Sequence, residues 1–141
     1  MIYSITSGKL SKNDGEVILT GCYSGGDAGQ RPDAVNNPAM CNVRPNVGPI
    51  PIGKYTVGPL LNHPHLGPAM ALTPNPANVM FGGSGFYIHY SNPTRDAGLP
   101  PYPPPAGRNS SDGCIVCITP GALPGVATIV QFGERDLTVT A

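Results

Sequence analysis

Short apolar runs separated by turn-forming residues dominate the pattern along this chain. Several runs alternate apolar and polar positions with a period of two, which is typical of strands with one buried face. At residues 13–15 the turn sequence Asn-Asp-Gly separates two such runs, at residues 1–7 and 16–20, and predicts a β-hairpin. One short helix is predicted at residues 124–131. Further strands are predicted at residues 54–57, 69–73, 86–90, 114–118 and 135–140.

Glycine and proline form the connections between these strands. The chain has 19 glycines and 18 prolines among 141 residues, a share that approaches that of disordered chains. Apolar residues nevertheless make up 40% of the chain and fall in strand-like runs, so a packed core is expected. Residues 22–47 are almost all turn formers and predict a long loop. We therefore predict a single compact, mainly β domain over residues 1–141, with long Pro/Gly-rich loops and little helix.

Charge and hydropathy exclude two classes of partner. Lys and Arg number 8 and Asp and Glu number 8, so the net charge is zero and no field attracts nucleic acid or an anionic membrane. The longest apolar run, residues 114–118, is far too short to span a membrane. The first residues alternate like a strand, without the basic and long apolar regions of a signal peptide. We expect no nucleic-acid partner and no membrane span.

The candidate chemistry lies in two predicted strands. His89 stands in the run Phe-Tyr-Ile-His-Tyr, and Cys114 follows Gly113 at the start of the run at residues 114–118. A thiol attacks as the thiolate, and a neighbouring imidazole lowers its pKa and accepts its proton. Gly113 has no side chain to block the approach of a substrate. A structural alternative stays open at this point, because many buried cysteines are inert and many strand histidines only pack.

A second cysteine three residues on gives the pattern C-x-x-C. The residues between Cys114 and Cys117 favour a strand, on which positions three apart point to opposite faces. The two sulfurs are then unable to share a metal, and Cys117 is predicted to be a small buried residue. His63 and His65 flank a proline without a third ligand, which predicts a turn. We expect neither a metal nor a cofactor.

The two remaining cysteines are the natural candidates for a disulfide. Cys114 must stay reduced if it is a nucleophile, which leaves Cys22 and Cys41 as a pair. Closing that loop would stabilise the fold by about 3 kcal/mol. Because the redox compartment is unknown from the sequence, the reduced alternative stays open.

Residues 86–118 resemble the catalytic core of L,D-transpeptidase (YkuD-like) domains. In that family a strand histidine precedes a [Ser/Thr]-x-Gly-Cys box that enters a strand, and the matching residues here are His89, Ser111, Gly113 and Cys114. The stretch at residues 48–57, GPIPIGKYTV, also resembles the turn and strand upstream of that histidine. The resemblance implies a β-sandwich or barrel-like domain.

A subfamily of short β-rich domains with a S-[D/E]-G-C-I box is more similar still. It includes type VI secretion effectors that attack peptidoglycan. Asp112 stands where ordinary members have histidine, and Tyr23-Ser24-Gly25 before a loop also looks like this subfamily. The resemblance covers roughly residues 20–120 and favours the effector branch.

The resemblance implies covalent catalysis on peptidoglycan tetrapeptide stems. Cys114 would attack the carbonyl of the L-centre of diaminopimelate and release the terminal D-alanine, with His89 as base and then acid. The N–H groups of Gly113 and Cys114 are oxyanion-donor candidates. Water or an amine would then resolve the thioester, giving carboxypeptidase or transpeptidase activity. The group that orients the imidazole is either Ser111, through its hydroxyl or its carbonyl, or Asp112, for which a turn cap is the alternative role.

Four further features flank this pair. Arg108 is a candidate to bind a substrate carboxylate, with a solvated loop arginine as the alternative. Tyr87 and Tyr90 flank the histidine and are predicted to pack beneath it or contact substrate. The stiff segment 99–105, LPPYPPP, is predicted to form a wall beside the site, with a ligand for an SH3-like module as the alternative.

The partners follow from the same resemblance. It implies an antibacterial toxin that is secreted without a signal peptide, acts in the periplasm of a target bacterium, and requires secretion machinery and a cognate immunity protein. The alternative is a non-catalytic peptidoglycan-binding or interaction module on the same fold. An unreactive Cys114 would favour the binding module over the enzyme.

Overall fold

Eight strands and one α-helix make up the described part of this chain. The computed structural model describes residues 1–27, 30–43, 47–90, 113–117 and 121–141. Two 3-10 turns, Pro32–Ala34 and Pro38–Met40, lie in the first long loop. The elements are β1 Ile2–Ser4, β2 Lys9–Ser11, β3 Val17–Leu19, β4 Gly53–His63, β5 Gly67–Pro74, β6 Tyr87–Tyr90, β7 Ile115–Cys117, α1 Ala122–Gln131 and β8 Asp136–Thr140.

All eight strands belong to one mixed sheet. Their order is β3-β2-β1-β8-β4-β5-β6-β7. The pairs β1–β8 and β6–β7 are parallel, and the other neighbours are antiparallel. A mainly β, compact fold with little helix is thereby confirmed, whereas the sandwich or barrel arrangement stays a prediction. None of the helices in the described part of the chain is long and apolar enough to cross a membrane.

The predicted amino-terminal hairpin has a different first strand. The turn at residues 13–15 joins β3 to β2, and β2 in turn pairs with β1. The prediction of one strand over residues 1–7 was wrong because the chain turns back at Gly8, which has φ +62°. A Cβ on Gly8 would lie 2.3 Å from the Cys22 carbonyl oxygen, so this close approach requires glycine.

Strand β4 is longer than the predicted 54–57, and α1 starts earlier than the predicted 124–131. The β4–β5 register shifts between Val57 and Leu60, and this bulge lets Pro59 sit inside a central strand. The helix is confirmed, and Pro124 stands in its first turn, where no intrahelical donor is lost. Leu123, Val126 and Val130 are its buried residues.

The sheet has an apolar inner face and a mixed outer face. Alternate residues of the central strands enter one core, among them Tyr55, Met70, Ile88 and Leu137. The residues between them point to the other face, as strand alternation requires. The outer face includes Lys54, Thr56, Thr73, Tyr87, His89, Val116, Asp136 and Thr138.

The four cysteines form no disulfide. The predicted Cys22–Cys41 pairing is replaced by a contact between Cys22 and Cys117, whose sulfurs are 3.7 Å apart. The reason is that Tyr23 forms a backbone bridge to Val116 of β7, which carries Cys22 alongside Cys117. Cys117 is 1% exposed, which confirms its prediction as a buried residue.

Candidate active site

His89 lies in β6, and Cys114 immediately precedes β7, the parallel neighbour of β6. Strand β6 pairs with β7 so that Ile88 lies opposite Ile115 and His89 opposite Val116. Ile88 and Ile115 belong to the core, whereas His89 and Val116 are buried outside that cluster. Cys114 precedes Val116 by two residues and therefore falls on the face that carries His89.

This register allows the two side chains to meet. Neighbouring strands are about 4.8 Å apart and two residues of a strand span about 6.6 Å, so the Cα atoms of His89 and Cys114 are about 8 Å apart. A histidine and a cysteine that extend to the same side of a sheet cover that separation. The half-buried Cys114 and the buried His89 therefore lie on the same face of the sheet, and proton exchange between them stays a prediction.

A main-chain carbonyl orients the imidazole of His89. Its Nδ1 lies 3.1 Å from the Tyr90 carbonyl oxygen. Because a carbonyl only accepts, Nδ1 carries the hydrogen in this bond, and the lone pair of the neutral ring lies on Nε2. The sequence predicted Ser111 or Asp112 for this role, and both lie outside the described residues. Their role stays a prediction, and the contact with the Tyr90 carbonyl is one that no residue signature in the sequence indicates.

Gly113 is required by the ring of Phe86. The φ of Gly113 is +102°, and a Cβ there would lie 2.4 Å from a ring carbon of Phe86. Both the backbone conformation and the close approach therefore need glycine. Phe86 is buried and belongs to the core, so the core itself holds the residue before Cys114. The substrate-access role predicted for Gly113 stays a prediction.

Ser24 connects Gly113, the residue before Cys114, by hydrogen bonds to two segments that are distant in sequence. Its hydroxyl donates to the Gly113 carbonyl oxygen and accepts from the Ile50 N–H, both at 2.9 Å. Its own N–H donates to Asn36 Oδ1 and its carbonyl accepts from the Asn36 N–H, again at 2.9 Å. Ser24 is fully buried, so these hydrogen bonds replace the ones that its polar groups would make with water.

The sequence contained a signal for Ser24 without revealing its role. The resemblance included Tyr23-Ser24-Gly25 and the stretch at residues 48–57 as separate motifs. In the structure they are in contact: Ile50 donates to Ser24, and a Cβ on Gly25 would lie 2.6 Å from the Pro49 nitrogen. Both motifs therefore support the segment that enters β7.

The other predicted site residues are divided between two faces and the undescribed part. Tyr87 shares the outer face with His89 and makes an edge contact with the His63 ring, with centroids 5.0 Å apart. Tyr90 lies opposite Cys117 and packs against the core, away from the face of the imidazole. Arg108, Ser111, Asp112 and the segment 99–105 lie outside the described residues, and their roles stay predictions.

His63 takes part in a turn. Its Nδ1 accepts hydrogen bonds from the backbone N–H groups of His65 and Leu66, at 3.1 and 3.2 Å. Within residues 1–27, 30–43, 47–90, 113–117 and 121–141, no group of three or more His, Cys, Asp or Glu side chains is placed to hold a metal ion.

The thiols of Cys117 and Cys41 have raised pKa values. The hydrogen bond to Cys22 is the largest cause that raises the pKa of the Cys117 thiol well above 9.0, and burial raises it further. Burial also raises the pKa of Cys41. These thiols are therefore poor nucleophiles at neutral pH, in contrast to a thiol that stands beside an imidazole.

Comparisons with protein-family models, with curated proteins and with solved structures found no match.

Proposed function

We propose that this protein is a cysteine-dependent L,D-carboxypeptidase or L,D-transpeptidase that acts on peptidoglycan stem peptides. The observation that supports this proposal is the parallel pairing of β6 with β7, which puts His89 and Cys114 on one face of the sheet. The resemblance of residues 86–118 to L,D-transpeptidase cores supplies the reaction and the substrate class. The β-sandwich or barrel-like arrangement of that family belongs to the same proposal.

The reaction starts with proton transfer from the Cys114 thiol to His89 Nε2. The thiolate forms a bond to the carbonyl carbon of the third stem residue, and the C=O electron pair moves to oxygen. When the tetrahedral intermediate collapses, the C–N bond breaks and His89 returns the proton to the amine of the departing D-alanine. The Tyr90 carbonyl stabilises the imidazolium by accepting from Nδ1.

The thioester on Cys114 is resolved by a second nucleophile. His89 Nε2 removes a proton from water or from an acceptor amine, which attacks the thioester carbon and expels the thiolate. Water gives a tripeptide stem, and an amine gives a new cross-link. The choice depends on which acceptor reaches the outer face beside Cys114.

Mass spectrometry of purified muropeptides tests the reaction. The wild-type protein should release one alanine from tetrapeptide stems or produce new cross-linked species, and Cys114→Ala and His89→Ala should do neither. Cys41→Ser and His65→Ala are matched controls, because they change the same residue types away from β6 and β7, and both should stay active. Unchanged muropeptides with folded wild-type protein would overturn the proposal in favour of a binding module.

The biological role that we propose is that of a secreted antibacterial effector. Its target is the periplasmic cell wall, so delivery requires secretion machinery and the producer requires a cognate immunity protein. Expression in a bacterial host with an added export signal should arrest growth, whereas expression without that signal should not. Equal growth arrest in both compartments, or arrest by the exported Cys114→Ala variant, would contradict this role.

A further inference from the structure

A polar groove lies on the outer face of the sheet, across strands β8, β4 and β5. It has a volume of about 540 Å³. This volume is in the range of sites that enclose a small ligand. Polar side chains from all three strands and from the turn after β5 line it: Lys54, Thr56, Thr73, Asn75, Asp136 and Thr138.

The strand registers place this groove on the same face as the catalytic pair. Thr56 lies opposite both Thr73 and Asp136. Ala71 lies two residues before Thr73 in β5, and it is opposite Tyr87 of β6. The β6–β7 register in turn places Tyr87 level with Cys114. From these steps the Cα atoms of Cys114 and Thr73 are about 12 Å apart.

Most polar side chains of the groove are available to a ligand, the exception being Asn75, whose Oδ1 accepts from the Ala77 N–H. In the part of the chain that the structure describes, the hydroxyls of Thr56, Thr73 and Thr138 make no hydrogen bond to protein, and Lys54 and Asp136 form no ion pair. One cation and one carboxylate leave the lining neutral overall. Such a lining suits an uncharged ligand with many hydroxyl and amide groups rather than an anion or an apolar side chain.

We propose that this groove binds the N-acetylated sugars of the glycan strand whose stem peptide reaches Cys114. The inference rests on the proposed function. The third residue of a stem lies at most about 10–11 Å from the sugar to which the stem is attached. This upper limit is about 1–2 Å short of the roughly 12 Å between the Cα atoms of Cys114 and Thr73, so a fully extended stem brings the sugar to the near edge of the groove. The groove therefore holds the sugar while the stem crosses the outer face past Tyr87.

A pair of substrates with and without sugar tests the proposal. The value of kcat/KM is measured for a disaccharide-linked tetrapeptide and for the same tetrapeptide without sugar. The wild-type protein should prefer the disaccharide-linked substrate by about tenfold, since one or two good hydrogen bonds supply that factor. Thr73→Val and Thr56→Val, which remove a hydroxyl at nearly constant volume, should each lower that preference several-fold. Thr20→Val, an exposed threonine outside the groove, should retain it.

Failure of the subsite and failure of the enzyme give different results. Equal rates on the two substrates would overturn the glycan subsite and leave the enzyme in place. If Thr73→Val and Thr56→Val both keep the preference for the disaccharide-linked substrate, the glycan subsite is likewise overturned. If Lys54→Met lowers activity on the sugar-free peptide as much as on the linked one, the groove binds the stem, and the glycan assignment is wrong.

A binding measurement decides the matter without turnover. Calorimetry with the Cys114→Ala variant should give tighter binding of the disaccharide-linked tetrapeptide than of the free peptide, and adding Thr73→Val should remove that difference. If the wild-type protein is inactive on both substrates, the proposed reaction fails, and this titration still supports or overturns the glycan subsite.

Discussion

The Ser24 hydroxyl donates a hydrogen bond to the Gly113 carbonyl oxygen across 2.9 Å, although the two residues are 89 positions apart. The same hydroxyl accepts from the Ile50 N–H, so one buried oxygen holds the entrance to β7 and the turn before β4. We expect Ser24→Ala to lower the free energy of unfolding by about 1–3 kcal/mol, because the Ile50 N–H and the Gly113 carbonyl lose their partner.

Urea denaturation measures this effect, and muropeptide turnover should fall with it as the Gly113–Cys114 segment loses support. Ser4→Ala is the matched control, since the Ser4 hydroxyl likewise donates to a carbonyl, that of Ala141, and accepts from an N–H, that of Ser7, but both bonds are exposed to solvent. That change should alter stability by less than about 0.5 kcal/mol. A Ser24→Ala variant with wild-type stability and turnover would show that the bond does not position the site.

The close contact between Gly113 and Phe86 predicts that a side chain at residue 113 lowers the stability of the fold for two separable reasons. Gly113→Ala adds a methyl group that meets the ring and imposes a side chain on a residue with φ +102°. We expect a loss of more than about 2 kcal/mol of unfolding free energy. In the Phe86→Leu background the same change should cost less, because the obstructing ring is gone.

Gly133→Ala separates backbone strain from the clash. Gly133 has a similar φ of +117°, and a Cβ there meets nothing within 4 Å. Its substitution should cost only about 1 kcal/mol, the strain of the left-handed conformation. Equal costs at Gly113 and Gly133, measured by denaturant unfolding, would exclude the contribution of the ring.

Burial of Tyr3 predicts a loss of stability at alkaline pH. Burial, with smaller contributions from Cys22 and Cys117, raises the pKa of Tyr3 well above 10.0. Above pH 10 the unfolded chain releases this proton while the folded chain keeps it, so the stability that is complete below that pH is lost as the pH rises. Tyr3→Phe should therefore flatten the fall of unfolding free energy above about pH 10.

Unfolding curves from pH 7 to 11 check this expectation. At pH 7 the two proteins should differ little, since the Tyr3 hydroxyl makes only a long contact of 3.5 Å with Asn36. The raised pKa of Cys117 predicts that the decline begins from about pH 9.0 in both proteins. Parallel curves for the wild type and Tyr3→Phe through pH 11 would contradict the assignment.

The positions of the sulfurs predict which disulfide forms on oxidation. Oxidation by a small-molecule disulfide above pH 9.0, where the poorly ionised thiol of Cys117 begins to react, should join Cys22 to Cys117, whose sulfurs are 3.7 Å apart, rather than to Cys41. Peptide mapping by mass spectrometry identifies the cross-link. Cys41→Ser should still form it and Cys117→Ser should not. A Cys22–Cys41 cross-link in the folded protein would contradict the arrangement of the residue 22–24 segment.

Local patterns predicted much of the sheet. Apolar alternation at residues 69–73 and 135–140 identified β5 and β8, because a half-buried strand leaves a period-two signature in its own residues. Strand β2, with the sequence Lys-Leu-Ser, alternates over only three residues, too few to identify a strand, and was missed. Its pairing with β1 and β3 makes it a strand, and that pairing depends on the turn at Gly8.

The sequence by itself determined the mainly β composition of the fold and the two residue types, His89 and Cys114, on which the proposed chemistry depends. Only the tertiary structure decided that β6 and β7 are parallel neighbours, that Ser24 supports Gly113, and that Cys22 lies beside Cys117. The physical reason is that side-chain alternation is a local property of a strand. Which strands become neighbours, by contrast, depends on hydrogen bonds between backbone groups far apart in the chain, and these groups are alike in every residue except proline.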